Sequence, residues 1–250
     1  MKKILLPLAL SALMASGALA QSPFDPASMD AAQKEAFGQA VREYLLNNPQ
    51  VIMEAVAVLE QREQQQKVTD DAELVARNWQ ALNEDGFSYV GGNPDGDVTV
   101  IEFLDYRCGY CRKAHPEVEQ LIESDGNIRL IVKEFPILGE ASLMFSKFAV
   151  ATHIVAGDEA YALVHDALIA LESAPNEAVL SRLAKTLGLD DAAILAEMES
   201  EEVARRLATT RALAQELQIN GTPSFVFGEH MLRGYAPLET MQKLVAGIRQ

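Results

Sequence analysis

The sequence predicts an α/β fold led by a separate helical arm, and three observations carry that expectation. Ahead of residue 86 the apolar residues recur at helical spacing. From Phe87 onward near-continuous apolar runs of strand length appear. Those runs alternate with helical segments in the order strand, helix, strand, a large helical block, two strands and a last helix. A strand–helix–strand unit requires a right-handed crossover and a sheet covered on both faces. The 49% hydrophobic and 23% charged composition is that of a globular chain.

Residues 1–20 read as an export signal. Lys2 and Lys3 give a basic start, Ile4 to Met14 an apolar run too short to span a bilayer, and Ala18-Leu19-Ala20 a small-residue cleavage site before Gln21. The expected location is therefore the periplasm of a Gram-negative bacterium. Residues 21–28 are a Pro- and Ser-rich lead-in. Met29 to Asn48 reads helical, with Phe37, Val41, Tyr44 and Leu45 at three- and four-residue spacing. Asn48 caps a second helix that has Pro49 at its first position. Its apolar stripe is Ile52, Ala55, Val56 and Leu59, followed by a polar run through Lys67. A further amphipathic stretch, Leu74 to Leu82, leads to the linker Asn83-Glu84-Asp85-Gly86. Residues 21–86 are thus expected to form an N-terminal helical region. Its apolar stripe has two readings, packing on the main domain or on copies of itself in a dimer or trimer.

Residues 87–250 are expected to form that main domain. Tyr89-Val90 is a short strand, Gly91 to Gly96 a turn cluster and Val98 to Leu104 an apolar strand. Cys108 to Glu123 reads as helix and Ile128 to Glu134 as a second buried strand. A helical insertion over about 140–218 follows, punctuated by Gly157, Pro175 and Gly188. Ser224 to Phe227 and Met231-Leu232 flank the hairpin turn Gly228-Glu229-His230. Pro237 opens a final helix whose Leu238, Met241, Leu244, Val245 and Ile248 face the core.

Charge narrows the range of partners. The chain carries 21 basic and 36 acidic side chains, a formal −15, which becomes −17 without Lys2 and Lys3. Nucleic acid and anionic membrane are held by clustered Lys and Arg, so neither is an expected partner. The Asn220-Gly221-Thr222 sequon reads as a chance match.

The chemistry sits at the two cysteines. Cys108-Gly109-Tyr110-Cys111 follows a strand and opens a helix, where free backbone N–H groups stabilise an anion. A thiolate at Cys108 gains from that position, and Arg107, Arg112 and Lys113 add local positive charge. Cys111, one turn deeper, is better shielded, so Cys108 attacks and Cys111 resolves the mixed disulfide. A pair this close in sequence closes too small a loop to staple distant parts of a fold. Pro116 lies inside the same helix and is expected to bend it.

Glu102 and Lys133 sit in the middle of the two apolar strands. Either each is solvated at an edge, or the two form a buried pair beneath the cysteines that accepts and returns the Cys111 proton. A cis Thr222–Pro223 bond ahead of the Ser224 strand would bring backbone groups beside the cysteines. A competing reading makes Cys108, Cys111 and His115 ligands for copper(I) or zinc, though no second ligand pair is visible. His153, His165 and His230 have no partner motif.

Val98 to Cys111, then Lys133-Glu134-Phe135-Pro136-Ile137-Leu138 and Gly221-Thr222-Pro223-Ser224-Phe225-Val226-Phe227-Gly228, resemble the DsbA-like thioredoxin-fold disulfide oxidoreductases over about residues 88–250. The resemblance implies a thioredoxin-like fold with a helical insertion. It implies a redox disulfide Cys108–Cys111, Glu102 and Lys133 as the buried charged pair, Pro223 as the cis-proline, and Gly109, Tyr110 and Thr222 in the active-site loop. No cofactor or metal is implied; the partners would be client proteins with cysteines and a membrane redox protein. The N-terminal region resembles that of the ScsC-type branch, associated with copper stress and with disulfide shuffling in oligomeric members. One departure is Gly109-Tyr110 between the cysteines, where the strongest oxidants of the family carry Pro-His.

Overall fold

Helical periodicity ahead of residue 86 and strand texture after it resolve, in a computed structural model describing residues 28–250, into two compact units that divide between Glu60 and Gln61. The export signal expected at residues 1–20 lies outside the described residues. In the first unit, Asp30 caps α1 (Ala31–Asn47) through a reciprocal box with Gln33, which sets the start two residues later than Met29. The Asn48 N–H closes the helix on Tyr44 O, and α2 (Gln50–Arg77) follows Pro49. α1 buries none of its residues, and Val41, Tyr44, Ile52, Met53 and Leu59 are exposed.

In the second unit the helical pattern runs unbroken to Arg77, so the polar run and the stretch from Leu74 belong to one helix rather than two. Asn78 interrupts it before α3 (Trp79–Asn83). Then come β1 (Tyr89–Gly92), β2 (Val98–Leu104), α4 (Gly109–Asp125) and β3 (Ile128–Glu134). The helical block is α5 (Glu140–Ala170), α6 (Glu177–Thr186), α7 (Asp191–Glu197) and α8 (Glu201–Glu216). β4 (Ser224–Phe227), β5 (His230–Arg233) and α9 (Leu238–Ile248) finish the chain. Gly157, at φ 80°, breaks the helical path inside α5, a conformation open to glycine and strained for other residues. Gly92 ends β1 at φ 67°, where a Cβ would meet Ile128 O at 2.5 Å.

The five strands are ordered β1-β3-β2-β4-β5, with β2 and β3 parallel and the remaining pairs antiparallel. Alternation along β2 and β3 sends side chains to two different cores. Val100, Leu104, Val132 and Phe225 join a large cluster with residues of α4, α5 and α9. Ile101, Phe103, Ile131 and Val226 face the other way, against Leu74, Val75, Leu82 and Leu213. Residues 61–86, expected in the arm, therefore supply part of the second core. The mixed sheet covered by helices on both faces is the thioredoxin-like architecture, carrying a helical insertion and preceded by N-terminal helices.

Candidate active site

β2 ends at Leu104, and a three-residue turn delivers the chain to α4. Asp105 organises that turn. Its buried carboxylate accepts from the N–H groups of Arg107 at 2.8 Å, Ile137 at 2.8 Å and Leu138 at 3.0 Å, and its carbonyl accepts from Cys108 N at 3.0 Å. Cys108 is thereby held as the N-cap of α4, with Gly109 and Tyr110 exposed in the first turn and Cys111 beneath. The two unlinked cysteines approach to 3.6 Å; Cys108 is 7% exposed and Cys111 1%. The Thr222–Pro223 bond is cis, and Thr222 O accepts from the Cys108 thiol at 3.1 Å. A groove of about 880 Å³ opens beside Thr222, lined among others by Gln218, Asn220, Arg233, Lys67 and Asp70.

The two thiols are pushed apart in acidity. The Cys111 thiol and the backbone amides of Tyr110 and Cys111 stabilise a Cys108 anion and lower its pKa to about 5, against the opposing effect of partial burial. Cys111 is driven far the other way, by its hydrogen bond to Cys108, by burial and by the nearby Glu102. The expected help from basic neighbours is corrected by the structure. Arg107 donates to Glu172 O at 3.3 Å, Arg112 to Tyr106 O and Leu171 O at 3.0 and 2.7 Å, and Lys113 lies over the Tyr235 ring at 4.0 Å. The Cys111 thiol supplies the largest part of the stabilisation and the amides of the helix start add to it.

Glu102 and Lys133 are both buried, but they do not pair. In the parallel register Glu102 stands opposite Val132 and Lys133 opposite Phe103, so the two side chains leave the sheet on opposite faces. Lys133 joins the second core, where Nζ donates to Asp85 Oδ2 at 2.6 Å and Ala81 O at 3.0 Å. Burial lowers its pKa against the pull of Asp85; the Asp85 carboxyl, resisted by its own burial, is held low by Lys133. In the sequence Asp85 reads only as part of a linker, because a pairing over 48 residues leaves no local trace.

Glu102 shares the cysteine face. Burial, Glu134 and Cys108 raise its pKa to about 8, and among the described residues its carboxylate has no hydrogen-bond donor. Glu134 lies on the same face and accepts from Tyr106 at 2.7 Å, Tyr161 at 2.6 Å and Ser146 at 2.7 Å; burial nonetheless raises it to about 7. His165, 3.1 Å from the Tyr106 hydroxyl, is held at about 3 by burial and by His115, so its ring is neutral.

The cysteine–histidine ligand set is not assembled. His115 turns to Glu119 and Asp166, each at 3.5 Å. Among the described residues no cluster of three or more metal-ligating side chains includes either cysteine.

Against known proteins, residues 84–246 match the family model described as Thioredoxin, and residues 33–66 match the Copper resistance protein ScsC N-terminal domain. A thioredoxin-like oxidoreductase from Silicibacter pomeroyi is 40% identical, with 68% of this chain and 96% of that one covered at a TM-score of 0.63. BcfH of Salmonella enterica Typhimurium is 26% identical (88% and 97% covered, TM-score 0.73). Proteus mirabilis ScsC in a transitional conformation is 25% identical (89% and 98%, TM-score 0.64). Among curated relatives, the Na(+)/H(+) antiporter NhaA 3 of Salinispora tropica is 27% identical over 157 residues; the chain spans about a quarter of that protein's length. With the thioredoxin model covering most of the sequence and a match to the ScsC N-terminal domain standing in front of it, this chain belongs to the thioredoxin family.

Proposed function

We propose that the protein is a periplasmic thiol:disulfide oxidoreductase acting on client proteins through Cys108 and Cys111. The observation that carries this reading is the split in acidity: a thiolate-prone sulfur at a helix N-terminus and a protonated partner 3.6 Å away. In the reducing direction the Cys108 thiolate attacks a client disulfide. The client S–S bond breaks, one client sulfur leaves as a thiolate, and a Cys108–client disulfide forms. Cys111 then gives its proton to the Glu102 carboxylate and attacks the Cys108 sulfur. The intramolecular disulfide closes, the second client thiolate leaves, and two electrons have passed from protein to client. Oxidation of a client dithiol is the reverse, with a membrane redox protein resetting the pair. Glu102, with a pKa of about 8, is suited to hold and release one proton at neutral pH.

Isomerisation is the finer proposal. It requires a client to be held while its disulfides rearrange, and several active sites in one assembly raise the effective concentration of the second contact. The exposed apolar residues of the first unit and the ScsC-type match there support self-association of the arm as a dimer or trimer. The signal-like residues 1–20 support the periplasmic location. Copper handling by the two thiols is a second reading, favoured by the name of the matched N-terminal domain; the turn of His115 away from the cysteines weighs against it.

Mass spectrometry of Cys111→Ala recovered from cells is the test. Mixed disulfides between Cys108 and client proteins are expected. A variant recovered with a free Cys108 thiol only would sink the reading.

A further inference from the structure

Four residues beyond Cys111, the side chain of His115 leaves α4 and meets α5. Its Nε2 lies 3.5 Å from Asp166 Oδ1 and 3.5 Å from Glu119 Oε1, and its ring centre is 5.2 Å from that of His165. One donor atom from each of His115, His165 and Asp166 lies within 4.8 Å of the other two. We propose that His115, His165 and Asp166 form a binding site for a divalent first-row transition cation such as zinc, with Glu119 as the fourth ligand.

Three features beyond proximity point to a cation. The donor set is two imidazoles and carboxylate oxygen without sulfur, which suits zinc and its divalent neighbours and does not select copper(I). The spacing is near that of a bound ion. Ligand atoms about 2.0–2.1 Å from a tetrahedral zinc stand roughly 3.3 Å apart. The His115–Asp166 and His115–Glu119 separations already match, and 4.8 Å leaves at most about 1.5 Å to close. His115 and Asp166 are partly exposed, with side chains 16% and 55% accessible, so rotation about their own bonds can supply that closure.

The third feature is the support behind His165. The Tyr106 hydroxyl donates its proton to Glu134 Oε1 at 2.7 Å. Its oxygen can therefore only accept from the histidine, at 3.1 Å from Nδ1. That fixes the proton on Nδ1 and leaves the lone pair on Nε2. A ligating histidine whose other ring nitrogen donates to a fixed polar partner is the usual second layer of a metal site. Electrostatics agrees, since among the described residues no Lys or Arg pairs with Asp166 or Glu119. A bound cation would tie the helix carrying the cysteines to the helical insertion.

The competing explanation is an ion pair between protonated His115 and its two carboxylates. The test uses the full chain carrying Cys108→Ser and Cys111→Ser, so that zinc cannot report thiolate binding. The parent with its cysteines oxidised to a disulfide serves as a second preparation should the double variant fold poorly. Calorimetric titration with zinc chloride at neutral pH is expected to show one saturable equivalent. Cobalt(II) in its place should give the visible bands of a four-coordinate site. Adding His115→Ala or Asp166→Asn, both at partly exposed positions, should weaken zinc binding at least tenfold and abolish the cobalt bands. No saturable zinc binding in either preparation, or binding that both substitutions leave within twofold, overturns the proposal in favour of the ion pair.

Discussion

Cys108 and Cys111 are chemically the same residue, and their neighbours alone set them in different states at neutral pH. The Cys111 thiol is the largest influence on Cys108, ahead of the helix amides. Cys111→Ser keeps a donor there and Cys111→Ala does not, so thiolate absorbance against pH is expected to put Cys108 well below a free thiol in the serine variant and about one unit higher in the alanine variant, the equivalent of one lost hydrogen bond to a charged group. A midpoint near 8.5 in both would remove the basis for Cys108 as nucleophile. Glu102 carries a second prediction. Its folded pKa of about 8 stands above roughly 4.3 for an unfolded chain. Between those values the native state binds the extra proton, so stability falls as pH rises through the window. Glu102→Gln has no charge to bury and should raise the Tm relative to the parent more at pH 8 than at pH 5. The same variant should slow thiol–disulfide exchange about tenfold or more, because the proton acceptor for Cys111 is gone. Stopped-flow rates equal to the parent's would leave Glu102 without a part in exchange.

At the scale of elements, the parallel pairing of β2 with β3 decides which buried charge meets the cysteines. The register sets Glu102 on the face of α4 and Lys133 on the face of Leu82 and Asp85. Lys133 is fully buried and Asp85 is its acidic partner, so Asp85→Ala leaves a cation without compensation. Urea unfolding is expected to show a loss of about 3–5 kcal/mol, and pairing the change with Lys133→Met should recover most of it. The exchange rate of that double variant should stay within twofold of the parent. A large drop would return Lys133 to the active site. The turn between β2 and α4 is likewise a matter of elements: three amides converge on Asp105, and two of them come from Ile137 and Leu138 beyond β3.

For the whole molecule, the boundary between the two compact units determines which truncation is informative. Removing residues 21–86 would strip Leu74, Val75 and Leu82 from the second core and Asp85 from Lys133, so that product is expected to fold poorly. The unit Gln61–Gln250 retains all four. If the arm self-associates, light scattering should find the full chain as a dimer or trimer and residues 61–250 as a monomer. The monomer should still exchange disulfides but refold scrambled ribonuclease poorly. A monomeric full chain, or undiminished isomerase activity in the shorter form, would sink the arm proposal and leave the Cys108 chemistry untouched.

Much of this was legible from the sequence because it is local. The strands over 98–104 and 128–134 are runs of apolar residues, the α4 start is a strand followed by Cys108-Gly109-Tyr110-Cys111, and the breaks at Asn48-Pro49 and Gly157 follow from backbone preference. Each depends on residues within a turn or two of one another, and so does the reading of Cys111 as the better shielded member of its pair. The tertiary structure decided everything that depends on register and on contacts between distant segments. The sequence left open whether Glu102 and Lys133 are solvated or buried; both are buried, and the face each one takes is fixed only when β2 and β3 align. The partners Asp85 for Lys133, Tyr106 and Tyr161 for Glu134, and His165 and Asp166 for His115 lie 27 to 51 residues away, well beyond the reach of any periodicity. Burial favours such pairings for Lys133 and Glu134, because a polar group removed from water is costly without a partner; Glu102 is the exception. Which partner it finds is set by how the chain folds back on itself.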